Sequence, residues 1–475
     1  MACGDLLQCA LNFEHRTNMT AYFDAALIEK YRMSGPRYTS YPTAVQFTDQ
    51  FTQEDHIRHL QASNAGKRDL SVYLHIPFCE HVCYFCGCNK IITRNHSKSG
   101  EYLDYLTQDI TRQAAHIDSD RRMIQLHYGG GTPTFISMDE QSRLMDLLHR
   151  HFRFADDHEG EFSIEIDPRT INRDYLAHLR KLGFNRVSFG VQDFDPAVQK
   201  AVNRIQPREE VARLMEDARD LGFHSISVDL IYGLPLQTVD SFSHTLEQMI
   251  ELAPDRLAIF NYAHMPDLFG AQKQIKQADL PSPAVKLAIL ERTIAMLTGA
   301  DYEFIGLDHF AKPEDSLVKH QKNGTLYRNF QGYSTFSDTD LLGFGISAIS
   351  QVQGSYSQNH KARDKYYRAI DGGDLAIARG VALHQDDEIR RYVITEIMCN
   401  LGLDLAKVSA KYGIDAVAYF AKEWAQLEPL AADGLLQLQG NRMQVQAPGR
   451  LLIRNIAMIF DAYLQAEKHR FSQVI

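Results

Sequence analysis

The sequence lacks any apolar run approaching the length that crosses a bilayer, and its opening stretch, "MACGDLLQCALNFEHRT", lacks the charged-then-apolar order of a secretion signal. No membrane span is expected. A basic excess is missing as well: 50 Lys and Arg against 60 Asp and Glu give a formal net charge of −10. A phosphate backbone selects the opposite balance, so nucleic acid is excluded as a principal partner, while a local basic pocket for an acidic small molecule stays open. Cysteine is scarce, at 7 residues in 475, and only Cys3, Cys9 and Cys399 stand outside one short stretch. That usage excludes a disulfide framework and fits a reducing cytoplasm.

What is present, from residue 71 onward, is alternation of short apolar or β-branched runs with longer amphipathic ones. The strand candidates are "SVYLHI", "MIQLHY", "EFSIEI", "RVSFGV", "HSISVDLIY" and "RLAIFNY". Helical patterns separate them, and two, "NRDYLAHLRKLG" and "REEVARLMEDARDLG", stop at Leu-Gly. Strand-helix repetition implies parallel strands joined by right-handed crossovers. Six units without a clear seventh and eighth predict an α/β fold, an incomplete (β/α)6 barrel, with active-site residues at the C-terminal ends of its strands.

Residues 1–54 read as an N-terminal extension and extended arm, 55–370 as the barrel domain, and 371–475 as a smaller, mainly helical C-terminal domain. Pro36 and Pro42 discourage helix in the arm. The part before Met19 reads as an extension, and Cys3 and Cys9 within it receive no role. Near the C-terminus "GLLQLQGNRMQVQAPG" predicts a hairpin turning at Gly440-Asn441. Helices followed by a hairpin are winged-helix-like, and balanced charge favours packing or a lid over DNA binding.

The chemistry concentrates in "HIPFCEHVCYFCGCNK", from His75 to Lys90. Thiolates grouped on a short loop bind a soft metal, either zinc or an iron–sulfur cluster. Structural zinc usually draws on two separated cysteine pairs. Cys79, Cys83 and Cys86, with gaps of three and two residues, instead suit three corners of a [4Fe-4S] cubane, leaving one iron with an exchangeable position. Cys88 is out of step with that set. In "HYGGGTPT" the glycines 129–131 permit close approach to a ligand, Thr132 adds a hydroxyl, and Glu165 on "SIEIDP" can accept from two ribose hydroxyls.

The cysteine run resembles that of the radical S-adenosylmethionine (SAM) superfamily, in which SAM chelates the open iron and is cleaved reductively to a 5′-deoxyadenosyl radical. Across nearly the whole length the chain is similar to the oxygen-independent coproporphyrinogen III oxidases. The matching segments include "GPRYTSYPTA", "YLHIPFCEHVCYFCGCNK", "LHYGGGTPTFIS", "EIDPRT", "RVSFGVQDFDPAVQKAVNRIQ", "DLIYGLP", "FNYAHMP", "IGLDHFAKPEDSL" and "NFQGYST". The resemblance implies a [4Fe-4S] cluster held by Cys79, Cys83 and Cys86, and two SAM molecules. Tyr73, Phe85, Gly130, Glu165 and Ile349 match positions around the cluster-bound SAM. Gly131, Thr132, Gln192, Arg204, Asp229 and Ala263 match those around the second. Tyr128 stands where the family often carries Trp.

It further implies conversion of two propionates of coproporphyrinogen III to vinyl groups, giving protoporphyrinogen IX in haem biosynthesis. A one-electron donor of flavodoxin type, an electron acceptor of unknown identity, and a monomer working in the cytoplasm complete that expectation. A tetracarboxylate substrate needs cationic and hydroxyl donors, and the candidates are Arg37, Tyr38, Tyr41, His309 and Lys312. A haem-binding chaperone of the same superfamily and a haem-modifying radical SAM methyltransferase are the competing readings.

Overall fold

The computed structural model describes residues 22–464; the extension before Met19, with Cys3 and Cys9, lies outside the described residues. The chain forms two compact units. One takes in 45–282 and 338–384, the other 22–44, 283–337 and 385–464. Neither is a single stretch, so their boundaries differ from the chain-order segments read from the sequence. The arm itself divides at residue 44.

In the first unit the six expected strands form: β1 (Asp69–Ile76), β2 (Arg122–Gly130), β3 (Glu161–Ile166), β4 (Arg186–Gln192), β5 (Ser225–Tyr232) and β6 (Arg256–Asn261). A further parallel strand, β7 (Thr339–Phe344), pairs with the other side of β1 and continues antiparallel into β8 (Ile349–Val352), β9 (Ser355–Asn359) and β10 (Ile377–Ala382). The order within the unit is β6-β5-β4-β3-β2-β1-β7-β8-β9-β10, an open path rather than a closed barrel.

Five helices make the crossovers: α1 (Ser97–Ala114), α2 (Met138–His151), α3 (Arg173–Lys181), α4 (Arg208–Asp220) and α5 (Val239–Leu252). Each starts or packs for a local reason. Ser137 and Glu140 form a capping box for α2, Asn172 caps α3, and α4 buries Val211, Leu214, Met215 and Ala218 at helical spacing. The strands bury one set of alternate residues completely, such as Leu70, Val72, Leu74 and Ile76 of β1. The other set includes Tyr73, His127, Glu165, Ser188, Gln192 and Asp229, all partly exposed. Strand alternation therefore gives the sheet one polar face.

The second unit is built on the helix Gln385–Asn400, whose Ile389, Val393, Ile394 and Ile397 are buried with Leu403, Leu427, Leu436, Met443 and Phe460. The predicted hairpin is present, Leu436–Gln439 with Arg442–Val445, and Gly402–Asp404 completes a three-stranded antiparallel sheet. That is the winged-helix-like arrangement. Tyr38 and Tyr41 of the arm are buried in this same core. Among the described residues no helix is long and apolar enough to cross a membrane.

Candidate active site

The cysteine loop leaves β1 at its C-terminal end and is anchored by backbone bonds on both sides. Phe78–Cys79 pairs with Ile91–Ile92, Tyr84 N–H donates to Val202 O at 3.0 Å, and Asn203 Nδ2 donates to Val82 O at 2.8 Å. Gln272 Nε2 donates to the Phe85 carbonyl at 3.0 Å and to that of Ala263 at 3.2 Å, tying both residues to one buried amide. The Phe85 ring leans on the apolar group of Val198, Val202, Leu234, Tyr262 and Ile275.

Register places the triple glycine against this loop: His75 pairs with Gly129 and Ile76 with Gly130. A Cβ on Gly131 would lie 2.6 Å from the Pro77 carbonyl oxygen, and one on Gly130 would lie 2.9 Å from that of Ile76. The close approach these glycines permit is thus to the exit of β1 itself. Thr132 N–H donates to Phe78 O at 2.8 Å, which seats its hydroxyl by the first cysteine.

Each of the three thiols then meets its own donor. Thr132 Oγ1 donates to Cys79 Sγ at 3.4 Å. Arg204 Nη1 and Arg169 Nη2 donate to Cys83 Sγ at 3.4 and 3.7 Å. The Cys88 N–H donates to Cys86 Sγ at 3.4 Å. The Cys88 thiol hydrogen bond, with Lys90 close by, draws Cys86 down against burial, while Cys88 is pushed up. Burial raises Cys79 to about 11. Cys88 therefore serves Cys86 as a donor.

Asp167 organises the two arginines. Its Oδ1 accepts from Arg169 Nε at 2.9 Å, and its Oδ2 accepts from Arg169 Nη2 at 2.6 Å and Arg204 Nη1 at 3.1 Å. Burial works to raise this carboxyl, but Arg204 and Arg169 overcome it and hold it at about 2. Two guanidinium groups and one carboxylate, with side chains 16, 8 and 10% exposed, leave one positive charge in excess beside Cys83. An anionic sulfur, as a metal-bound thiolate would be, would close that balance.

Among the described residues, the only three His, Cys, Asp or Glu donors within 4.8 Å of one another are Asp157, His158 and His224. Arg180 already spans both oxygens of that Asp157, at 2.9 and 2.7 Å. The three cysteine sulfurs do not gather so tightly. Sulfurs on one tetrahedral zinc, each about 2.3 Å from the metal, would.

Beyond the sulfurs the polar face continues across neighbouring strands. Glu165 pairs in register with Ser188, and Gly190 with Asp229. Glu165 Oε1 lies 3.2 Å from His127 Nε2 and its Oε2 accepts from Gly130 N–H at 3.3 Å. Tyr73 stacks on His127 with centroids 5.9 Å apart, and Tyr73 Oη lies 3.0 Å from His75 Nδ1, whose Nε2 meets the Asn89 carbonyl at 2.9 Å. Burial, with Glu165 adding to it, pushes Asp229 up to about 7 against the pull of Arg204. Gln192 closes a bulge with φ +72°, and its buried Oε1 is unpartnered. A left-handed glutamine with an orphaned carbonyl is the kind of strain found where a ligand is expected. Ile349 opens β8, and its carbonyl would lie 2.5 Å from a Cβ on Gly343. Tyr128 is fully buried with an unpartnered hydroxyl.

The arm and "GLDHFAKP" candidates lie in the second unit. Arg37 is ion-paired with Asp308. Tyr38 Oη donates to Asp461 Oδ2 at 2.9 Å, and Tyr41 Oη accepts from Ala462 N–H at 3.0 Å, so both hydroxyls serve the core. His309 meets the Tyr333 ring edge-on at 5.1 Å, and Lys312 is half-buried just beyond the strand His309–Ala311. Sequence reading missed Asp167 and Arg169, although "EIDPRT" carries both, and missed His75 and His127. The signal for the first pair was the polar Asp-Pro-Arg immediately after the Glu165 strand.

A Radical SAM superfamily profile matches residues 73–249, and a HemN C-terminal domain profile matches 383–452. The oxygen-independent coproporphyrinogen III oxidase of Salmonella typhimurium is 53% identical over 455 residues, covering 95% of this chain and 98% of that protein. That of Pseudomonas aeruginosa is 48% identical over 457 residues, covering 96% and 99%. The solved structure of coproporphyrinogen III oxidase (HemN) from Escherichia coli, described as a radical SAM enzyme, superposes with a TM-score of 0.89 at 50% identity, covering 94% of this chain and all of that one.

Proposed function

We propose the reaction from one premise: the chain belongs to the family of oxygen-independent coproporphyrinogen III oxidases. It converts coproporphyrinogen III to protoporphyrinogen IX, as a radical SAM oxidoreductase working in the cytoplasm. Each of two propionates gives up one hydrogen atom from its β-carbon, one electron and one carbon dioxide, leaving a vinyl group. When bound, the [4Fe-4S] cluster and SAM would supply the radical chemistry for hydrogen-atom removal. A flavodoxin-type protein is the proposed one-electron donor, and a one-electron acceptor takes the electron released.

Cys79, Cys83 and Cys86 hold the cluster. Tyr73, Phe85, Gly130, Glu165 and Ile349 surround one SAM, and Gly131, Thr132, Gln192, Arg204, Asp229 and Ala263 a second. Glu165 and Asp229 offer acceptors on adjoining parts of the polar face, suited to ribose and amino groups. The donor given to each cysteine sulfur by Thr132, Arg204 and Cys88 carries this reading. Hydrogen bonds to sulfur orient the ligands and set how readily a cluster accepts an electron. The remaining work is positioning: the substrate carbon must be held near the radical centre with water and oxygen excluded.

The test is anaerobic incubation of the reconstituted chain with dithionite, SAM and coproporphyrinogen III, followed by chromatography. Divinyl product and 5′-deoxyadenosine are expected together. Haem binding without vinyl formation, or S-adenosylhomocysteine as the main SAM product, would refute the assignment.

A further inference from the structure

We propose that the second unit carries a carboxylate pocket built on Arg328, which takes a propionate of the substrate; this rests on the reaction proposed above. "LYRNFQGYST" folds into the hairpin Tyr327–Asn329 with Gly332–Ser334, and register sets Arg328 opposite Tyr333. The Arg328 guanidinium lies 4.9 Å from the centre of the Tyr333 ring. The residue is only 8% exposed, and its Nε and Nη1 are buried with no hydrogen-bond partner. A guanidinium cannot shed its proton at any ordinary pH, so burial leaves it only one remedy, an acceptor that arrives from outside.

Among the described residues none supplies an acceptor to Arg328 Nε or Nη1. The Tyr333 hydroxyl feels the charges of Arg328, Arg450 and Arg37. Arg454 is brought down to about 10 by burial together with Arg37 and Arg328. Asp308 lies in this neighbourhood and is already paired with Arg37. Arg450 spends its Nη2 on the Phe304 carbonyl. In the tip of the hairpin, Gln331 holds a buried side-chain amide whose nitrogen and oxygen both lack partners. The planar guanidinium fork matches the two oxygens of a carboxylate, and Gln331 in the turn of the same hairpin offers a further neutral donor. A tetracarboxylate macrocycle presents such groups at its rim. Arg328 thereby joins Arg37 and His309, the substrate candidates that the sequence offers in the same unit.

The experiment titrates coproporphyrin III, the stable tetracarboxylate analogue, into the reconstituted full-length chain and follows porphyrin fluorescence. Arg328→Met is expected to weaken binding about ten- to a hundredfold, the worth of a hydrogen bond to a charged group. Arg328→Lys should recover part of the loss, which a packing role would not give. Coproporphyrin III tetramethyl ester should bind the parent and Arg328→Met alike. Reductive SAM cleavage without substrate, unchanged in the variants, shows that they are folded; should Arg328→Met fail that control, the Lys variant carries the test through an intermediate affinity. Parent-like affinity for coproporphyrin III in folded Arg328→Met, or in the Lys variant read in its place, overturns the pocket while vinyl formation by the parent leaves the reaction standing. A parent that neither binds the porphyrin nor forms vinyl product overturns both.

Discussion

Arg204 Nη1 donates to Cys83 Sγ at 3.4 Å, and the same nitrogen lies 3.1 Å from the Asp167 carboxylate. One guanidinium group therefore joins the sulfur of a proposed cluster ligand to a buried acid that also fixes Arg169. Cationic N–H donors on a sulfur stabilise the more negative, reduced state of an iron–sulfur cluster. Arg169→Leu removes one donor while leaving all three cysteines in place. Iron and sulfide content should stay at the parent level, and the midpoint potential, read by redox titration with paramagnetic resonance, should fall. A tenfold loss in the reduced fraction at fixed poise corresponds to about 59 mV for a one-electron couple. An unmoved midpoint in an intact cluster would show that the arginine is only structural.

Cys88 gives Cys86 both its N–H and its thiol. Cys88→Ala keeps the first donor and deletes the second. The expected result is a full iron and sulfide complement with a smaller fall in potential than Arg169→Leu gives. Cys83→Ala, by contrast, should lose iron. Iron loss from Cys88→Ala comparable to that of Cys83→Ala would make Cys88 a ligand after all.

Much of the first unit is legible in the sequence because parallel strands buried on one face leave compact runs such as "SVYLHI" and "RVSFGV" between helical periods. The cysteines, Glu165 and the glycines follow, since each sits where a strand ends. The seventh parallel strand is harder to read. "TDLLGF" pairs with β1 only after the chain has left the first unit at residue 282 and returned at 338, and no local period signals that excursion. The same holds for Tyr38 and Tyr41. Hydroxyl and ring suggested substrate contact, and only the fold shows them used by Asp461 and Ala462 in a core assembled from distant segments. Arg328 and Arg169 are invisible for the matching reason: their meaning lies in what surrounds them, not in their spacing.

Asp229 offers a pH test. Burial, with Glu165 adding to it, pushes its carboxyl up to about 7 in the folded state, against about 3.9 in an unfolded chain. Between these values the folded state holds the extra proton, so the Asp229 contribution to stability declines as pH rises and is lowest above pH 7. Asp229→Asn removes that penalty. In the absence of SAM its melting temperature should exceed the parent's at pH 8 by on the order of 1–3 °C, with the gap narrowing toward pH 5. A gap of constant size would assign the effect to something other than ionisation.

Arg121 and Asp340 form a buried pair at 2.5 Å, with side chains 0 and 1% exposed. Arg121 also donates to Ser63 Oγ at 2.7 Å and to the Arg68 carbonyl at 2.9 Å, and Asp340 Oδ1 accepts from Gln353 N–H at 3.1 Å. The pair thus pins the start of β7 to the entrance of β2, holding the returning strand in register with β1. Asp340→Ala strands a guanidinium without its counter-charge and should cost roughly 3–5 kcal/mol in the unfolding of the first unit, followed by circular dichroism in urea. Arg121→Met combined with Asp340→Leu should lose much less than the two single changes together, because no buried charge is left behind and Arg68, the other partner of Asp340, is 36% exposed. The exposed pair Lys67–Asp120, at 70 and 60% exposure, serves as the control: its removal should leave the urea midpoint where it was. Equal effects from the buried and the exposed pair would mean that β7 is held by its backbone ladder alone.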